Sequence, residues 1–187
     1  MSAHRSANPN AAARTAWFLL DRLHPSLARV FLTIVLPLSL LPPLMLYYAG
    51  TYHGDDFMAG FAQRNWAAIG ALFFAAEMLT VAAMGPVIQG IARLNDVAAD
   101  RNHAYLLAFA APVPMWLSSL GLFVPNFFFA AAVGVAGAIL SCYVIYHGVA
   151  VLLHVAEDIV AGAIAYGIMA GGLMAWALLL ILVIPLG

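Results

Sequence analysis

The sequence contains no lysine, and its seven cationic side chains are all arginine. Charged residues make up only 8% of the 187, and the formal net charge is −1. A chain without a basic patch lacks the electrostatic footprint of a nucleic-acid binder, so nucleic acid is excluded as a partner. The single cysteine, Cys142, rules out an intrachain disulfide framework. It lies in an apolar run, where a thiol behaves as a small buried hydrophobe. Phosphate-binding loops, dinucleotide fingerprints, nucleophile elbows and CxxC pairs are also missing. Ser118 and Ser119 stand beside Trp116 with no base nearby. No HxxxH or HExxH spacing occurs, so neither catalytic residues nor a metal or other cofactor is expected.

What the sequence has is apolar residues. The hydrophobic fraction is 65% and the mean hydropathy +0.99. Soluble domains are roughly 45–50% apolar. A soluble fold of this size could not hide so much apolar surface, so lipid is the solvent for much of it. A spanning helix needs about 20 mostly apolar residues. Five stretches qualify, at 28–50, 66–94, 103–124, 126–154 and 159–186. None alternates in polarity as a membrane strand would, and backbone groups in hydrocarbon must be satisfied within the segment. The expected fold is all-α: a polytopic five-helix transmembrane bundle spanning 28–187. An N-terminal region, 1–27, precedes it. Residues 1–13 read as a loose tail, and 14–27 as an interfacial helix anchored by Trp17.

The breaks between spans have local causes. Residues 51–65 form a polar loop with Asp55, Asp56, Gly60 and Arg64. Pro125 cannot continue a helix, and Asn126 can cap the next one. No helix breaker separates the last two spans. A single rod over 126–186 would nevertheless run about 90 Å, so the chain must turn near Glu157 and Asp158, with Asp158 as the expected cap. Arginine sets the orientation. Arg5, Arg14, Arg22 and Arg29 precede or begin the first span, and Arg93 and Arg101 lie between the second and third. Arg64 alone falls on the other side. The N-terminus is therefore expected in the cytoplasm and the C-terminus outside.

Small residues recur at every fourth position of the fifth span: Ala163, Gly167, Gly171 and Ala175. The fourth span offers Gly134 between Ala130 and Ala138, and Gly137 with Ser141. Such stripes let backbones approach closely in lipid, so the fourth and fifth helices are expected to pack together, within the chain or across a homo-oligomer. Prolines at 37, 42, 43, 86, 112 and 114 interrupt the first three spans. Each removes a backbone donor and frees a carbonyl.

Glu77 is the sharpest chemical signal. It stands near the middle of the second span, with Arg64 and Arg93 the nearest charges in sequence. A carboxylate at that depth costs several kcal/mol unless it is paired, hydrated or protonated. Two readings follow: a proton or cation site, or a carboxyl hydrogen-bonded to a Tyr, Ser or carbonyl of another helix. Tyr143 and His147 share a helix face and join Glu77 as candidate intramembrane polar residues. Asp96, Asp100, His103, His154, Glu157 and Asp158 form a candidate polar cluster at the cytoplasmic end, where it would fix the loops.

Short motifs in a fixed order carry a family resemblance. They are His24-Pro25 before the first span, Met84-Gly85 late in the second, and Ala111-Pro112 followed by Leu117-Ser118 and Pro125 around the third. Tyr143-x-x-Tyr146-x-Gly148 completes the series in the fourth. From Leu23 onward the chain resembles the bacterial branch of the Ypt-interacting protein (YIP) membrane family. The resemblance implies five membrane helices, a cytoplasmic N-terminus, an inner-membrane location and no catalytic residues. Eukaryotic members associate with prenylated Rab-type GTPases in Golgi and ER membranes; the N-terminal region here is much shorter than theirs. The expected function is a non-enzymatic scaffold or partner-binding protein of the inner membrane, in contact with the lipid bilayer. The alternative is a small proton- or cation-linked transporter or channel built around Glu77.

Overall fold

The computed structural model describes Trp17 and residues 26–57 and 59–183. Among these residues the regular structure is helical throughout, and five helices are long and apolar enough to cross a membrane. We label them α1 (Leu27–Phe57), α2 (Trp66–Leu94), α3 (Arg101–Phe123), α4 (Phe127–Leu152) and α5 (Asp158–Val183). The five-span expectation is met, and α2 has the bounds read from the sequence. The expected tail at 1–13 lies outside the described residues, as does the expected interfacial helix at 14–27 except for Trp17, Ser26 and Leu27. Trp17 is buried in the core, its ring close to Gly148 on α4.

α1 departs most from expectation. It continues to Phe57 through the stretch expected to be a loop. His53 takes a non-helical conformation there (φ −135°) and kinks the helix. Tyr48 and Asp56 flank the imidazole, at 3.5 Å from Nε2 and 3.4 Å from Nδ1. Further back, Phe31–Val35 widens into a π-helical turn, with the Leu36 N–H donating to the Phe31 carbonyl. Pro37 follows at once. It cannot donate to the carbonyl four residues back and its ring crowds that position, so the wider register relieves the conflict. α3 is segmented in the same way: a helix over Arg101–Ala110 gives way at Pro112 to Val113–Ser118 and then to a 3₁₀ turn.

The connections are capped by side chains. The Asn126 Oδ1 accepts from the Phe129 N–H at 3.0 Å, as expected for the start of α4. Asn65 does the same for α2 through the Ala68 N–H. Asp55 accepts from the N–H groups of Gly60 and Ala62, closing the α1–α2 turn, where Gly60 supplies a φ of +84°. The turn between α4 and α5 was invisible as a breaker because a histidine makes it: His154 ends α4 in the left-handed region, φ +53°. Asp158 falls in the first turn of α5, and the Glu157 carbonyl accepts from the Ala161 N–H. The cap therefore sits one residue earlier than expected.

α2, α3, α4 and α5 form a ring in which each packs on the next and α5 closes back on α2, while α1 packs outside against α2 and α3. The end that holds Ser26 and the α2–α3 and α4–α5 connections is tightly filled. Ile88, Leu107, Val149, Leu152, Ile164 and Ile168 are fully buried there. Toward the other end, which holds Pro125, packing loosens. No described residue of α5 from 169 to 181 is buried.

Candidate functional site

One stripe of α2 points inward: Gly70, Glu77, Val81, Gly85 and Ile88, at successive intervals of seven, four, four and three. Its glycines set the packing distance at both ends. A Cβ at Gly70 would stand 3.1 Å from the Pro43 carbonyl of α1, and one at Gly85 would run into the Tyr105 ring of α3 at 2.6 Å. Glu77 lies between these two close approaches and is 6% exposed. Its partner comes from α3. The indole Nε1–H of Trp116, itself 2% exposed, donates to Glu77 Oε1. The acceptor was legible in the sequence. The donor was not among the partner types expected, because Trp116 is 39 residues away and meets Glu77 only through the antiparallel register of α2 and α3.

This pair looks into a cavity of about 360 Å³ enclosed mainly by α2, α3, α4 and α5. Its lining is overwhelmingly apolar, with Phe73, Met84, Leu122, Leu173 and Trp176 among the large side chains. Among the described residues, Glu77 is the one acidic residue in that lining, and no arginine or histidine joins it. Most of its hydroxyls are engaged by their own helices. Thr80 donates to the Ala76 carbonyl at 2.9 Å, Ser118 to Met115 at 2.7 Å and Ser119 to Trp116 at 2.6 Å. Two buried side-chain atoms in the lining have no hydrogen-bond partner among the described residues: Glu77 Oε2 and Ser141 Oγ.

The remaining expected site residues are distributed elsewhere. Tyr143 and His147 do touch, with ring centroids 4.3 Å apart, but neither lines the cavity that holds Glu77. Three of the polar residues near the Ser26 end do come together. Asp100 caps α3 through the Asn102 N–H and lies 3.7 Å from His103, whose ring stacks edge-on with His154 at 5.4 Å. Asp96 takes φ +59° in the α2–α3 turn. The packing glycines act on other neighbours than expected. Gly137 fits against Ser118 and Pro114 of α3, and Gly167 against Ile91 of α2. Gly134 lines the cavity, and a Cβ added at Gly134 or Gly171 would meet nothing within 4 Å. α4 and α5 do pack on each other, through side chains such as Val149 and Ile164 near their connection.

The sequence matches the family model of the Yip1 domain over residues 7–182. The chain belongs to the Yip1 domain family. Comparison with curated proteins and with solved structures gives no match. The family and the five apolar helices together make this Yip1-domain chain a multi-pass membrane protein.

Proposed function

We propose that this Yip1-domain protein is a non-enzymatic binding protein of a bacterial inner membrane, with its N-terminus in the cytoplasm, and that it does not move ions. The cavity's lining carries this reading. A proton or cation path needs a succession of polar or hydrated groups through the bilayer. Here one carboxyl group, held on one side by Trp116, faces a mostly apolar space whose hydroxyls, Ser141 apart, are tied to their own helices. The arginine distribution supports the orientation. Binding in the plane of the membrane also fits α5, whose Tyr166 and Met174 are exposed and whose Gly171 has open space beside it. A second copy or another membrane protein would find a close-approach surface there.

The protein is reconstituted in liposomes carrying an internal pH dye, and a proton or cation gradient is imposed. The expected result is a rate equal to that of protein-free vesicles, for wild type and for Glu77→Gln alike. A flux that appears with wild type and vanishes in Glu77→Gln would establish the transport alternative instead.

A further inference from the structure

We propose, resting on the binding reading above, that the cavity is a site for a single-chain amphiphile whose neutral hydroxyl head pairs with Glu77 and Ser141. Burying a polar atom without a partner costs free energy, and native interiors rarely leave one so. Here two such atoms, Glu77 Oε2 and Ser141 Oγ, belong to the lining of one cavity. They face the cavity from α2 and α4. Gly137, one turn from Ser141, rests against Ser118 and Pro114, and these flank Trp116, the partner of Glu77.

The head group follows from what the lining can satisfy. A hydroxyl both donates and accepts, and Ser141 can do either, so a hydroxyl head can satisfy either atom without a charge. A phosphate head is unmatched, because no arginine or histidine among the described residues lines the cavity and the chain has no lysine. The body of the ligand follows from the rest of the lining, which is mostly apolar, and from a volume of about 360 Å³. That size falls within the roughly 300–1,000 Å³ typical of small-molecule pockets. Access is from the side. Leu173, Trp176 and Leu180 line the cavity and are still 49%, 38% and 37% exposed, so this wall of α5 is open toward the membrane. An apolar chain can enter there without crossing water.

The test uses the full chain in lipid nanodiscs and a long-chain alcohol carrying a diazirine close to its hydroxyl. Illumination should concentrate the label on lining positions such as Met115, Ser141 and Cys142. Unlabelled hexadecanol should compete about tenfold better than hexadecane, the effect expected of a satisfied buried hydrogen bond. Ser141→Ala should remove most of that advantage. Gly134→Phe, whose side chain starts in open space, should cut labelling about tenfold by filling the cavity while helicity by circular dichroism is unchanged. Label spread evenly over the lipid-facing helix surfaces, or hexadecane competing as well as hexadecanol, would overturn the site. Proton flux in the liposome assay overturns the binding reading instead, so the two failures are distinguishable.

Discussion

Trp116→Phe is expected to destabilise the protein by about 2 kcal/mol, while Glu77→Gln costs less than about 1 kcal/mol. The two changes look equally mild, and the difference lies in what each leaves behind. Phenylalanine keeps most of the ring that packs with Val35, Val81 and Phe109 but deletes the indole N–H, so both Glu77 oxygens are left without a donor in an apolar space. Glutamine keeps an acceptor for that N–H and adds a donor that can face the cavity. Glu77→Leu strands the indole instead and should cost about 2 kcal/mol. The double variant Trp116→Phe, Glu77→Leu removes both polar partners together. It should therefore cost clearly less than the sum of its singles, with a coupling on the order of 1–3 kcal/mol. Denaturant-driven unfolding in mixed micelles measures all four. Additive costs would mean that Glu77 and Trp116 do not share a hydrogen bond in the folded protein.

Gly50→Val should be the most damaging single change at the α1–α2 end, at about 3 kcal/mol or more. A Cβ at Gly50 would overlap the Trp66 indole, which is buried and held by its own hydrogen bond, Nε1–H to the Phe61 carbonyl at 2.7 Å. The ring cannot swing away without breaking that bond. Overpacking costs about 1–3 kcal/mol, and a stranded buried donor adds about 1–3 more. Gly134→Val is the control, since nothing lies within 4 Å of its Cβ position. The same unfolding measurement should show Gly134→Val close to wild type. Equal costs at the two positions would contradict the Gly50–Trp66 contact.

The sequence reading located the spans because the hydrocarbon thickness imposes a minimum apolar length that any neighbour arrangement must respect. Residues 51–57 depart from the loop that their polarity predicts. The helix runs on there through a kink at His53, whose ring meets Tyr48 and Asp56, local geometry that hydropathy does not register. Glu77 was legible because a lone carboxyl group in an apolar run is conspicuous by itself. Its tie to Trp116 and its separation from Tyr143 and His147 were not. Both depend on the rotation of one helix against another, and no spacing within a single helix encodes that. The small-residue stripes were visible, yet Gly137 and Gly167 turned to α3 and α2 rather than to each other. Small residues permit close approach without naming the partner. The cavity lay beyond reach of the sequence for a related reason: it exists where α4 and α5 stop burying residues between them, a property of the assembled ring.

The single cysteine provides a direct measurement, because Cys142 lines the cavity. A nitroxide attached to it in liposomes can be tested for collision with oxygen, which partitions into apolar space, and with a water-soluble nickel chelate. An apolar binding cavity gives high oxygen and low nickel accessibility. A hydrated ion path gives high nickel accessibility at Cys142, and that result would contradict the binding reading.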